Sequence, residues 1–554
     1  MTAIGEESVP VDTATRRKTR GAFFTPAEVA DFIVDWAVRN PADLVLEPSA
    51  GEAAFLVPAA QRLRSLDPGR GHPEVHGVEI HAPSAETAIA RVRGAGAVPV
   101  ITVDDFFAVE PTAGYDAVVG NPPYIRFQDF TGESRARAKR AALHAGVALS
   151  GLASSWAAFT VHATRFLRPG GRLGLVLPGE LMSVNYAGPV RRYLFDRFAS
   201  VELVLFDEQV FPDAETEVVL VLADGFGLGP TDHAVLRSVR NTEALAQSGG
   251  GRPWVPADPA GKWTGGLVDP KALAALSSVE AAGAFGPLTE WGETTLGMVT
   301  GNNRYFTMSP ERAAAQGLVE EDLLVVSPPG SAHLRGLALT AEGLDELGRA
   351  GKSTRLFAPG PDPSPAAERY IDTGEALGVD SAYKCRVRSP WYRVPLLPPA
   401  DLLLTCMNAD TPRLTTNAAG ARHLNSVHGV YLHDGARDLG RRVLPLASLN
   451  SLTLLHAELV GRSYGGGVLK MEPREADLWL LPSMTTAEAS AERLGAVRKR
   501  VSAALKARDL GRAVDLVDEV LFDDAMIGSD ELSTVRSARR AMAERRTERG
   551  RSRG

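Results

Sequence analysis

The chain has 554 residues, more than one hydrophobic core accommodates, so two to four domains are expected. With 44% hydrophobic and 23% charged residues, and apolar runs only as long as a strand, the composition is that of a soluble globular protein and not of a membrane-spanning one. A net charge of −7 argues against a uniformly basic surface but leaves room for a local basic face. The start "MTAIGEESVP" lacks the basic and apolar stretches of a secretory signal. Only Cys385 and Cys406 carry thiols, which suggests a reducing, cytoplasmic setting and too few ligands for a Cys-rich zinc site; no metal is expected.

In chain order, residues 1–20 read as a tail ending in the basic run "RRKTR". "GAFFTPAEVADFI" follows, with Thr25 as helix cap, Pro26 at the first helical position and Glu28 three residues after the cap. From 21 to 240 short apolar strands ("DLVLE", "HGVEI", "VPVITV", "YDAVVG", "RLGLVLP", "VELVLF", "EVVLVLA") alternate with Ala-, Leu- and Arg-rich helical stretches. That alternation predicts an α/β, Rossmann-like domain: a mostly parallel sheet with helices on both faces and a ligand crevice at the carboxyl ends of the strands. Residues 241–265, rich in Gly and Pro, read as a linker. Beyond it, 266–485 reads as a mixed α+β domain and 486–554 as a charged helical segment.

The residues after each strand carry the information. Glu47 ends the first strand, and Pro48, Ser49, Ala50 and Gly51 form a tight turn of small residues before a helix. The turn lacks the Gly-x-Gly-x-x-Gly of a phosphate loop, and Glu47 beside it suits a ligand with a cationic part. Glu79 and Ile80 end the second strand, where a carboxylate can accept both hydroxyls of a ribose. Asp105 and Phe106 follow the third, an acceptor for an adenine amine and a ring to pack against it. The three tips together describe a site for S-adenosyl-L-methionine, whose product is S-adenosyl-L-homocysteine.

The fourth strand ends in Asn121, Pro122, Pro123 and Tyr124. An exocyclic amine such as that of adenine is a poor nucleophile, because its lone pair is delocalised into the ring. Two acceptors, the Asn121 side-chain oxygen and the Pro122 carbonyl, can each take one N–H and aim the lone pair at an electrophile. The prolines stiffen the backbone and bring no competing donor. Tyr124 offers a face on which a planar substrate stacks.

"FFTP", "LEPSAG", "VEI", "DDF" and "NPPY", in that order over residues 20–225, resemble the motifs of gamma-group N6-adenine DNA methyltransferases, the TaqI-like and Eco57I-like amino-methyltransferases with a C-terminal target-recognition domain. The resemblance implies that Phe24, Thr25, Glu47 and the turn through Gly51 hold the methionine end of the cofactor. Glu79 and Ile80 would take its ribose, and Asp105 and Phe106 its adenine, with Asn121 adjoining both cofactor and substrate. It implies that Asn121, Pro122, Pro123 and Tyr124 receive a flipped-out adenine. In "VFP", Phe211 would stack on the other face of that base. It implies double-stranded DNA as partner, a nucleoid association when bound, and a restriction-modification or phage-defence role beside a separate endonuclease.

In the C-terminal half, "TTLGMVTGNNRYFTM", with Asn302, Asn303 and Arg304, resembles a recognition-domain segment. "YKCRVRSPWYRVP" combines Lys384, Arg386 and Arg388 with Trp391 and Tyr392 and has no acid, the mixture of cations and aromatics that a DNA cleft needs. Protein-glutamine and RNA-adenine methyltransferases share the Asn-Pro-Pro-Tyr chemistry but are shorter. A DNA-binding subunit without catalysis is disfavoured by the intact motif, and the cytosine branch usually has Ser in place of Asn121.

Overall fold

A computed structural model describes residues 25–211, 217–247, 249–464 and 466–551. Phe24 and the basic run at 16–20 lie outside the described residues. The chain divides into two compact units, one up to Leu267 and one from Val268 to Arg551.

The first unit is α/β. Its strands are β1 (Val45–Glu47), β2 (Glu74–Glu79), β3 (Val98–Val103), β4 (Tyr115–Gly120), β5 (Leu167–Pro178), β6 (Phe198–Phe206), β7 (Val218–Phe226), β8 (Ala234–Val239) and β9 (Arg252–Trp254). They form one sheet in the order β3-β2-β1-β4-β5-β7-β6-β8-β9. β1 to β5 run parallel to their sheet neighbours among themselves, and β7 lies antiparallel between β5 and β6. This is the Rossmann-like α/β arrangement that the sequence predicts, with an antiparallel strand inserted beside β5.

Alternation along the strands builds two cores, one on each face. Val118, Leu203, Leu205, Val219 and Val221 pack into one, with helix α5 (Ser155–Thr164). Ala117, Val119, Val204, Leu220 and Leu222 pack into the other, with helices α1 (Ala27–Ala37) and α2 (Leu56–Leu66). The stretch expected to be a linker is built into this unit. Arg252–Trp254 extends the sheet by pairing with β8, and the Trp263 side chain is fully buried. Two tryptophans in a Gly- and Pro-rich stretch carry enough apolar surface to dock it.

Strand order reverses between β1 and β4, which is where such a sheet opens a crevice. Gly77 in β2 keeps this place narrow: a Cβ there would stand 3.0 Å from both Ala50 Cβ and Leu56 Cδ1. The turn after β1 can therefore lie against β2, and the Ala50 N–H donates to the Val78 carbonyl at 2.9 Å.

The second unit is α+β. A five-stranded sheet joins Gly292–Leu296, Val427–Leu432, Leu402–Thr405, Leu414–Asn417 and Ala338–Leu339, in that order. The C-terminal helices Met484–Lys506, Leu510–Leu521 and Ser529–Arg551 belong to the same unit. Leu494, Val501, Val514 and Val517 share a core with Leu402, Val430 and Trp479. Arg546 anchors the last helix: it is 3% exposed, pairs with Glu458 at 2.8 Å and donates to the Asp410 carbonyl at 2.7 Å.

Candidate active site

The crevice is assembled from the tips of β1, β2 and β4. Glu47 is buried, and its Oε2 accepts the Phe55 and Leu56 N–H groups at 3.2 and 3.0 Å, capping α2. Burial pushes its carboxyl well above the usual range, although the two N–H groups pull the other way. Its second oxygen carries no hydrogen bond among the described residues. Glu79 spans two backbone donors, Gly51 N–H on Oε2 and His81 N–H on Oε1, both at 2.8 Å. Gly51 has φ +50°, a conformation that favours glycine, and the position where a Cβ would stand is open space. Ile80, beside it, is 65% exposed.

At the β3 tip, Asp105 Oδ1 accepts the Phe107 N–H at 3.0 Å, and Oδ2 lies 3.6 Å from Arg137. The structure places Phe106 differently from the sequence expectation. Its ring is 4% exposed and packs on Phe159, His162 and Phe166 at 4.6, 4.7 and 5.1 Å between centroids. The turn that Asp105 caps sends the first phenylalanine into the core and leaves Phe107 half-buried.

At the β4 tip, the Asn121 amide is held from two sides. Its Nδ2 donates to Thr25 Oγ1 at 3.2 Å, and its Oδ1 accepts the Tyr124 hydroxyl at 2.8 Å. Thr25, expected at the methionine end of the cofactor, therefore touches Asn121. The Tyr124 hydroxyl also lies 2.9 Å from the Val176 carbonyl on β5. One proton serves two acceptors. Burial holds the Tyr124 pKa well above its ordinary value, so the hydroxyl stays a donor at neutral pH. Phe211 is 3% exposed and belongs to an apolar cluster against which Tyr124 also packs. The Pro212 that follows it in the sequence motif lies outside the described residues.

The side chains that the sequence did not single out come from α5 and from the tip of β5. Ser155 bonds the segment around Tyr124 (Oγ to the Pro123 carbonyl, 2.5 Å). Glu180 Oε2 accepts from Trp156 Nε1 at 3.3 Å and from the Tyr186 hydroxyl at 2.5 Å. The only signal available was a polar pair, Ser154 and Ser155, ahead of an Ala-rich helix.

In the second unit, two sequence stretches about 80 residues apart meet. Arg388 donates to the Thr300 and Val299 carbonyls at 2.7 and 2.5 Å, and a Cβ on Gly301 would stand 3.1 Å from Cys385 Sγ. Asn302 caps the turn that follows (Oδ1 to Tyr305 N–H, 3.2 Å), and Asn303 accepts from Thr300 Oγ1 at 2.6 Å. Trp391 donates to Glu375 at 3.0 Å and leans on Tyr305, with Tyr392 at 5.9 Å. Arg304, Lys384 and Arg386 stay exposed. Tyr383, beside Lys384, is 66% exposed.

Comparison with known proteins agrees with this geometry. The family model described as N-6 DNA Methylase matches residues 11–225, and that of the Type II methyltransferase M.Eco57I C-terminal domain matches 260–522. The Type II methyltransferase M.XamI of Xanthomonas campestris pv. amaranthicola is 27% identical over 499 residues, 85% of this chain and 86% of the relative. M.AccI of Acinetobacter calcoaceticus is 22% identical over 495 residues, 85% and 88% of the two chains. Among solved structures, the Type IIL restriction-modification enzyme MmeI, determined in complex with DNA, shares the fold with TM-score 0.58 at 13% identity. That match covers 91% of this chain and 73% of the other. The first model matches within the first unit and the second chiefly within the second, so along most of its length the chain is similar to adenine-specific Type II DNA methyltransferases that pair an N-6 DNA methylase domain with an Eco57I-type C-terminal domain.

Proposed function

We propose that the chain transfers a methyl group from S-adenosyl-L-methionine to the N6 amine of an adenine flipped out of double-stranded DNA, as the modification enzyme of a restriction-modification system. The observation that carries this reading is the Pro122 carbonyl. Pro122 directly follows Asn121, and among the described residues its carbonyl accepts no hydrogen bond, while those of Asn121 and Pro123 each accept one. A backbone carbonyl left without a protein partner at a strand tip is available to a ligand donor. An amine with two N–H groups fits a pair of acceptors.

The donor side fits the cofactor. The open space at Gly51, the carboxylate of Glu79 anchored at the turn, the exposed Ile80 and the half-buried Asp105 are what a nucleoside with a ribose diol requires. Glu79, Ile80 and Asp105 would hold the nucleoside. Glu47 and the turn through Gly51 would hold the amino-acid end. When bound, the cofactor supplies an electrophilic methyl group on a sulfonium.

Asn121 Oδ1 and the Pro122 carbonyl accept the two amine protons and pull the nitrogen toward tetrahedral geometry. The lone pair so aimed would accept the methyl group that the cofactor supplies, and one amine proton would leave to water. Preorganised acceptors of this kind need no reorganisation during the reaction. Tyr124 would stack on one face of the extruded ring, and Phe211, which is 3% exposed within the apolar cluster that Tyr124 packs against, would have to turn out of that cluster to reach the other face. Arg304, Lys384 and Arg386 would meet phosphates.

The test is a methyl-transfer assay with the purified full chain, radiolabelled S-adenosylmethionine and genomic DNA, followed by nucleoside analysis and mapping of the modified positions. N6-methyladenine at one recurring sequence is expected. Label in cytosine, in RNA or in protein, and none in DNA adenine, would reject the reading.

A further inference from the structure

Three consecutive carbonyls line the catalytic turn, and they are treated differently. The Asn121 carbonyl accepts the Ser49 hydroxyl at 3.2 Å, from the turn after β1. The Pro123 carbonyl accepts the Ser155 hydroxyl at 2.5 Å, from the first turn of α5. The Pro122 carbonyl between them accepts nothing among the described residues. Ser155 does more than occupy Pro123. Its Oγ accepts the Ile125 N–H at 2.9 Å, and its own N–H donates to the Ile125 carbonyl at 3.0 Å. One buried serine thus closes three hydrogen bonds onto the residues on either side of Tyr124 and fixes the peptide planes there. Ser154 Oγ, its neighbour, lies 3.1 Å from the Tyr186 hydroxyl, which donates to Glu180. The start of α5 is therefore itself anchored to the tip of β5.

We propose that Ser155 is a positioning residue for methyl transfer: with Ser49 it ties back the two flanking carbonyls, so that Pro122 alone presents a free acceptor beside Asn121. The inference rests on the amine-methylation reading above and adds the means by which the acceptor pair is selected. The prolines remove competing donors from the turn, and the serines remove competing acceptors. Without the Ser155 hydroxyl the Pro123 carbonyl has no partner and the Ile125 N–H loses its acceptor. The Pro123–Tyr124 peptide, one residue beyond the Pro122 carbonyl, can then rotate and let the turn shift, and the second acceptor loses its aim. A misplacement of about 1 Å in such a pair costs on the order of a hundredfold in rate.

The test uses the full chain as wild type, Ser155→Ala and Ser155→Thr, on an oligonucleotide carrying the site mapped for the wild type. Ser155→Ala is expected to lower kcat by about tenfold to a hundredfold while KM for DNA and Kd for S-adenosylmethionine stay within about twofold. With 2-aminopurine in place of the target adenine, its fluorescence rise on binding should persist in Ser155→Ala, because the base still leaves the stack. Ser155→Thr, which keeps the hydroxyl, should recover most of the rate. A Ser155→Ala enzyme with unchanged kcat, or one whose loss lies in KM or in the 2-aminopurine signal, overturns the inference. Should Ser155→Ala not fold, Ser155→Cys replaces it, and equal kcat for the Cys and Thr variants overturns the inference. A wild type that methylates no adenine overturns the functional proposal and this inference with it, whereas an active wild type matched by Ser155→Ala overturns the inference alone.

Discussion

Asn121→Ala removes one of the two acceptors at the amine and leaves the nucleoside-holding tips untouched. We expect a loss of on the order of 3 kcal/mol in the barrier, roughly a hundredfold or more in single-turnover rate, with Kd for S-adenosylmethionine nearly unchanged. Near-normal turnover would refute the mechanism. Glu79→Ala removes a charged acceptor and also frees the Gly51 and His81 N–H groups that it anchors. Calorimetry should show cofactor binding weakened by about 1.5–3 kcal/mol, and an unchanged Kd would remove Glu79 from the site. Tyr124 contributes in two ways. Its face would return part of the cost of flipping, ~1–3 kcal/mol per stacked face, so Tyr124→Ala should harm a normal duplex more than one in which the target adenine is mispaired. Its hydroxyl touches Asn121 Oδ1 and the Val176 carbonyl, so Tyr124→Phe should cost about 1 kcal/mol on both substrates alike. Equal losses for Tyr124→Ala on the two duplexes would deny it the stacking role. That Asn121 and Tyr124 stand together at the tip of β4 was legible in the sequence, because they lie three positions apart just after a strand. The second role of Tyr124 was not, since its partner Val176 lies 52 positions away. Nor could "DDFF" disclose which phenylalanine turns inward.

Elements follow the same division. Strands buried on both faces show as short apolar runs, and the α/β order of the first unit follows from their spacing. What the start of α5 does was hidden, because Ser155 acquires its function only by meeting a loop 30 residues earlier in the chain. In the second unit, the exposed and the buried cations of one basic stretch have separate jobs. Arg388 ties a loop by its carbonyls, so Arg388→Ala should lower the thermal stability of the chain, by about 1–3 kcal/mol for two lost charged hydrogen bonds. Lys384→Ala and Arg386→Ala should leave Tm unchanged and reduce the slope of log K against log salt for DNA binding by about one each. A Tm loss for the exposed pair, or a salt-slope change for Arg388→Ala alone, would reverse these assignments.

At the scale of the whole molecule, buried histidines set the pH range. His162 in the first unit and His333 and His423 in the second are each pushed down to about 4 by desolvation. The unfolded chain takes up these protons near pH 6.5, and the folded chain does not until about pH 4. Stability is therefore full above pH 6.5, falls as pH drops through the window between, and levels off below it, at up to ~3 kcal/mol for each group. Tm measured from pH 7.5 to 4.5 should decline in both units, and a flat profile would show that these rings are protonated in the fold. The outline of two bodies was legible from the loss of βα alternation near residue 247. Their extents were less so: the Gly- and Pro-rich stretch reads as a linker until its tryptophans are seen to be buried, and the charged C-terminal helices read as an appendage until their apolar faces join the core.

The pairing of β1 with β4 has one more consequence. Val45 lies opposite Ala117 and Leu46 opposite Val118, so the turn that carries Ser49 and the turn that carries Asn121 leave the sheet side by side. Their separation is set by a hydrogen-bond ladder, with strands about 4.8 Å apart. A one-residue insertion within either strand would slip that ladder and carry Ser49 away from Asn121. The same insertion in a connecting helix would be absorbed at the surface. The contact between the two turns thus depends on these two short strands keeping step.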